Sequence, residues 1–215
     1  YDRGENLVVV TTDRVSAFDV VMRQGIPHKG RVLTAMSKWW MDLAKMKNHL
    51  VTADLKEIGP PFSDDPGTFA GRTVLVKKYE AIPVECVMRG FLTGSGLKDY
   101  RATGTVCGHR LPEGLLDNMH MPTPLFCPST KAEVGHDENI TGARMAEVVQ
   151  QWLGGDHKNY YSPVVHSICS KSMALFQLAS RVLWNKGILL ADTKFEFGLV
   201  RPTEPHTPRT KPPEV

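Results

Sequence analysis

The chain is 215 residues long, enough for one domain or two small ones with a substantial buried core. With 26 basic and 23 acidic residues its formal net charge is +3, too small for a dedicated nucleic-acid binder but compatible with a local cationic pocket. Cys86, Cys107, Cys127 and Cys169 are widely spaced without zinc-type pairing and read as reduced thiols of a cytoplasmic protein; no apolar run has membrane-spanning length and nothing reads as a signal peptide.

Residues 7–11 read as a buried strand, and the polar run from Asp13 to Asp19 as a turn after it. His28-Lys29-Gly30 opens a helix over about 33–47, with Leu33, Met36, Trp40 and Leu43 at helical spacing and expected in the core. Residues 59–71, rich in Gly, Pro and Asp, are expected to form a loop. Two strands follow, 73–79 and 82–89, joined by a turn at Glu80-Ala81; Glu85, Val87 and Arg89 share one face of the second. Gly90, Gly94 and Gly96 then permit close backbone approach, and 101–128 is loop-rich. Helices are expected from Ile140 to about Leu153 and from Ser162 to about Lys186. Ser162 and Pro163 form a start signal for the second, and Asn185 and Gly187 mark its end.

A strand over 190–198 closes the ordered part. Beyond it, residues 201–215 hold five prolines and no apolar periodicity, and should be extended or disordered. A start at Tyr1 and this tail together read as the ends of a fragment.

The most informative run is the 190–198 strand. Alternation puts Asp192, Lys194 and Glu196 on one face. Two carboxylates flanking an ammonium suit a Mg²⁺-nucleotide site; the same pattern also describes an edge strand with a solvated polar face. Arg89 beside the Gly/Ser/Thr run 90–96 suits a phosphate, although GxxxxGK[ST] spacing is absent, and a plain glycine turn reads equally well. The polar block 128–139 has the density of a substrate loop or of a charged segment leading into a helix. Asp13, Arg14, Ser16 and Asp19, with His28-Lys29-Gly30, form either a turn with an ion pair or the border of a cleft.

Five segments, TDRVSAFD (12–19), IPHKGRVLT (26–34), PVECVMRGFLTGSG (83–96), PSTKAEVGHDEN (128–139) and LADTKFEFG (190–198), resemble in order the signature blocks of the SAICAR synthase (phosphoribosylaminoimidazole-succinocarboxamide synthase) family. The resemblance implies an α+β fold, with a β-rich N-terminal subdomain over ATP, a larger mixed subdomain and a cleft between them. It also implies subdomains at 1–89 and 90–198, followed by a non-family tail at 199–215. The implied activity is Mg²⁺- and ATP-dependent ligation of L-aspartate to the carboxylate of carboxyaminoimidazole ribonucleotide (CAIR), through an acyl phosphate.

By the same resemblance Arg89 and Ser95 would hold the CAIR phosphate, and Asp192 and Lys194 would lie near the imidazole ribonucleotide and reacting carboxylate. Glu196 would bind Mg²⁺. Lys131 and Asp137 would border the CAIR and aspartate pockets, and Ser16, Asp19 and Lys29 would line the same cleft. The stretch from Lys77 to Glu85 would hold adenine, mainly through backbone groups. Small-molecule substrates are implied, without nucleic acid or membrane, and a homo-oligomer is left open. The family's initial Gly/Lys hairpin and its acidic segment after FEFG have no counterpart here, so a catalytically incompetent ribonucleotide-binding remnant is the alternative.

Overall fold

A computed structural model describes residues 1–18, 20–131, 138–154 and 161–200. The chain divides into two compact units, Tyr1–Tyr79 and Glu80–Val215. The division precedes the 89/90 boundary expected from the sequence, because Arg89 and Gly90 are neighbours within one continuous strand.

The first unit contains β1 (Asp2–Arg3), β2 (Asn6–Val10), the hairpin β3 (Ser16–Ala17) and β4 (Val20–Val21), helix α1 (Lys29–Ala44), β5 (Leu50–Thr52), the one-turn helices α2 (Leu55–Ile58) and α3 (Pro66–Phe69), and β6 (Thr73–Lys77). An antiparallel sheet runs in the order β1-β2-β6-β5. Its core closes around Val8, Ile58 and Phe62, with Val10, Leu55, Phe69 and Leu75 against them. The Asp-rich stretch expected to be loop contains α3, because the Asp65 carboxylate caps it by accepting from the Thr68 N–H. The apolar stripe of α1 is not core: Leu33, Met36 and Leu43 are exposed, and Gly30 is the helix's buried residue.

In the second unit the order is β7 (Glu80–Ala81), β8 (Val84–Leu92), α4 (Gly94–Thr103), β9 (Thr105–Val106), β10 (His109–Arg110), β11 (Met119–Thr130), α5 (Gly142–Leu153), α6 (Tyr161–Trp184), β12 (Asp192–Phe195) and β13 (Gly198–Leu199). β8 is the centre of an antiparallel sheet ordered β11-β8-β12. Helix α5 presents Met145, Val149 and Leu153, and α6 presents Val164, Ile168, Ser172 and Phe176, each at spacings of four that make one buried stripe. The two helices and the face of β8 carrying Val84 and Cys86 enclose the main core with Ile82 and Leu199. Helices segregated to one side of antiparallel strands make this an α+β architecture.

Three expectations change here. Glu80-Ala81 is not a turn between two paired strands: it is β7, paired with β13, while β6 and β8 belong to different sheets. The region 101–128 is not mainly loop; it holds the β9–β10 hairpin and most of β11. Leu199 is buried in β13 rather than lying in a detached tail, because its partner Glu80 ties it to the sheet edge. Residues 201–215 lie outside those described.

Candidate functional site

The side chains at issue lie on the face of the β8 sheet opposite α5 and α6. Glu85, Val87 and Arg89 share that face by the two-residue period, and partners directly across the strands project the same way. Asp192 stands opposite Arg89, Lys194 opposite Val87, and Ser129 opposite Glu85. The strand register thus gathers five polar side chains separated by up to 109 positions in sequence.

Three of the five are nearly inaccessible: Ser129 is 4%, Glu85 5% and Arg89 7% exposed. Buried charges need partners. Glu85 has them: Lys194 Nζ lies 2.7 Å from Oε1, and the Ser129 hydroxyl donates to Oε2 at 3.4 Å. Arg89 is less fully met. Its Nη2 donates to Ser95 Oγ at 2.9 Å, its Nη1 is 3.9 Å from the Asp192 carboxylate, and its Nε has no hydrogen-bond partner among the described residues. A guanidinium offers five donors in a fixed fork. This one therefore presents spare donors at the start of α4, where the cap residue Thr93 makes no side-chain cap bond. Helix N-termini and arginine forks both favour anions. The Gly90–Gly96 run, expected as a loop, is instead the end of a strand and the first turn of a helix. Gly96 packs closely against the arginine, since a Cβ would stand 3.3 Å from Arg89 Cδ.

Lys131 and Glu196 pair at 2.8 Å across the exposed rim, and this hydrogen bond, with its charge attraction, raises the Lys131 ammonium above its ordinary value. The 128–139 block is closed at its base: Thr130 N–H donates to Glu138 O at 3.0 Å and Ile140 N–H to Pro128 O at 2.9 Å. Asn139 also donates to Asp99 of α4 at 2.8 Å. Asp137 and Asp19 lie outside the described residues. Among the described residues no three potential ligands converge to hold a resident metal ion. The hard carboxylate oxygens of Glu196 and Asp192 do fit a magnesium ion that arrives with nucleotide phosphates, which needs only one or two protein carboxylates.

The predicted residues of the first unit are arranged differently. Ser16 is exposed in β3, Lys29 is the half-buried first residue of α1, and Lys77 ends β6. The strongest polar node here is Asp13, whose cluster the sequence left open as a turn with an ion pair or the border of a cleft. Asp13 accepts from Gly30 N–H at 2.9 Å and His28 N–H at 3.2 Å, and takes a two-pronged ion pair from Arg72 at 3.0 and 3.1 Å. The Gly30 N–H first, then the Arg72 guanidinium, hold its carboxyl down to about 2. Gly30 admits no side chain, because a Cβ would meet Thr11 O at 2.2 Å. Ser129 also escaped the sequence reading; pairing β8 with β11 in register would have put it across from Glu85.

The SAICAR synthetase family model matches residues 1–205. The chain belongs to the SAICAR synthetase family. The phosphoribosylaminoimidazole-succinocarboxamide synthase of Geobacter sp. strain M21 is 42% identical over 202 residues, covering 93% of this chain and 64% of the relative. Among solved structures, the Saccharomyces cerevisiae SAICAR synthase complexed with SAICAR superposes with a TM-score of 0.75 at 36% identity, covering 93% of this chain and 64% of that one. A type-2 SAICAR synthetase in complex with ADP shares the fold, with a TM-score of 0.65 at 22% identity over 92% of this chain and 70% of its own. The chain thus spans about two thirds of the length of relatives it matches, and the family match runs past Leu199, where the sequence reading ended it.

Proposed function

We propose that the chain carries the ribonucleotide-side machinery of an ATP-dependent carbon–nitrogen ligase that joins L-aspartate to the carboxylate of CAIR, giving SAICAR, ADP and phosphate in purine biosynthesis in the cytoplasm. The observation that carries this reading is the incompletely satisfied, buried Arg89 with Ser95 at the start of α4, on the same sheet face as Lys194 and Asp192. Arg89 and Ser95 would grip the 5′-phosphate of CAIR. Asp192 and Lys194 would then face the imidazole and its carboxylate.

The carboxylate oxygen attacks the γ-phosphorus of ATP, ADP leaves, and an acyl phosphate forms. The aspartate amine attacks its carbonyl carbon, loses a proton, and phosphate leaves with the bonding pair. Protein groups mainly align the partners and meet developing charge. Lys194, oriented by Glu85, supplies a fixed positive charge beside that carboxylate. Glu196 would hold magnesium, which when bound neutralises phosphate charge. Lys131, Asp137, Ser16, Asp19 and Lys29 would border the substrates. The backbone from Lys77 to Glu85 would hold adenine, with the Glu85 side chain committed to Lys194. The substrates are small molecules, with no nucleic acid or membrane, and size-exclusion chromatography decides whether the chain assembles as a homo-oligomer.

The deciding experiment measures ADP release by the purified chain with CAIR and Mg-ATP, with and without L-aspartate. Aspartate-dependent release supports the ligase. A folded chain that binds CAIR yet releases no ADP is the alternative, a ribonucleotide-binding remnant.

A further inference from the structure

Val106 pairs with His109, so the β9–β10 turn is Cys107-Gly108. Both residues have positive φ, 49° and 85°, as in a type I′ turn, where Asn, Asp or Gly is the usual choice. Backbone preference does not explain a cysteine there. The turn is anchored: His109 Nε2 lies 3.0 Å from Phe126 O, next to Cys127. Cys127 is fully buried in the cluster with Val106, and the half-buried Cys107 packs against the same cluster. The two thiols lie close enough to perturb each other, and the charge of Arg89 lies near both. Interaction with Cys127, aided by Arg89, lowers the Cys107 thiol against the effect of burial, and interaction with Cys107 raises the Cys127 thiol together with burial. Burial pushes Cys86 up to about 12 and also raises Cys169, leaving those two inert by comparison.

We propose that Cys107 and Cys127 form a thiol–disulfide pair closed by a hydroperoxide oxidant, and that closure weakens the anion seat at Arg89. The Cys107 thiolate attacks a peroxide oxygen; the S–O bond forms, the O–O bond breaks, and the departing hydroxide takes the thiol proton to become water. Cys127 sulfur then attacks the sulfenic sulfur. The S–S bond forms, the S–O bond breaks, and hydroxide leaves as water with the Cys127 proton. The two sulfurs lose two electrons and the peroxide gains them.

Coupling to Arg89 runs through Gly96. A Cβ on Gly96 would be 3.5 Å from Val106 Cγ1 and 3.3 Å from Arg89 Cδ. Drawing the turn toward β11 therefore presses on the helix start that carries Ser95. This second half rests on the proposed role of Arg89.

The test oxidises the reduced full chain with hydrogen peroxide and maps it by non-reducing peptide mass spectrometry. The expected product is a Cys107–Cys127 linked peptide pair, short of two hydrogens and restored by dithiothreitol, with Cys86 and Cys169 unchanged. Cys107→Asn, which the turn accommodates, should fold normally and form no bridge. Over-oxidation of Cys107 beside an untouched Cys127, or a bridge through Cys86, overturns the proposal. Calorimetry with CAIR should show roughly tenfold weaker binding to the bridged protein, the scale of one charge-assisted hydrogen bond. Reduction should reverse this, and peroxide should leave Cys107→Asn binding unchanged. Equal affinity in bridged and reduced protein overturns the coupling. A bridge that forms in a protein that binds no CAIR when reduced upholds the thiol pair and instead refutes the reading of Arg89.

Discussion

The two faces of β8 are built from one strand yet obey different rules. Toward α5 and α6, the strand contributes Val84 and Cys86 to a packed apolar cluster, and Met88 is fully buried. Toward the other side, the alternate residues Glu85 and Arg89 are almost as buried but charged. Apolar burial stabilises the fold directly. A buried ion pair roughly breaks even against desolvation, so its presence on a central strand points to a task other than stability. The difference teaches that burial alone does not separate core from site; the chemistry of the buried group does.

Variants on each face can break that contrast. The largest effect is expected for Arg89→Ala, which should weaken CAIR binding by roughly 100-fold while leaving ATP affinity intact. Calorimetry with each ligand measures this, and an equal loss of ATP binding would remove the phosphate from this position. On the opposite face, Phe176→Ala should cost about 3–5 kcal/mol of stability in denaturant titrations, with CAIR affinity unchanged well below the midpoint. A large binding defect there would mean that the two faces are not separable.

Lys194→Ala should abolish aspartate-dependent turnover and also cost about 1–2 kcal/mol, discounted because the lysine is half exposed, since Glu85 would be left with Ser129 as its hydrogen-bond partner among the described residues. Glu85→Gln in the same chain should recover the stability but not the turnover, a non-additivity a double-mutant cycle reads.

Smaller still is the pH effect at Asp13. Its folded value of about 2 is below the ordinary 3.8. Its contribution is therefore complete above about pH 4 and lost as pH falls toward 2, and Asp13→Asn should flatten that part of an acid-unfolding profile. Lys131→Ala should change stability by no more than about 0.5 kcal/mol, as expected for an exposed pair; any larger loss would mark the rim as structural.

Much of the charged face was legible because a strand's period is fixed. Asp192, Lys194 and Glu196 could be put on one side before any pairing was known; β12 keeps that alternation for Asp192 and Lys194, but the strand expected over 190–198 ends at Phe195, and Glu196 lies just beyond it. What the sequence could not supply was register, which alone sets Ser129 opposite Glu85 and Asp192 opposite Arg89. The start of α4 was hidden because Gly94-Ser95-Gly96 is a poor helix former by propensity, overridden here by packing. β11 was hidden by Pro122, Pro124 and Pro128, which argue against a strand until it is seen at a sheet edge. In the first unit, helical spacing correctly gave α1 but misassigned its apolar stripe to the core. Periodicity reports a face, not what covers it.

Those prolines have a consequence for how molecules meet in a crowded solution. β11 is an outer strand, and an outer strand normally offers a row of N–H groups on which another chain can grow. Around 120–125, where the pairing with β8 shifts register, Pro122 and Pro124 have no N–H to offer. Along that stretch the sheet bearing the charged face resists extension into an aggregate by strand addition.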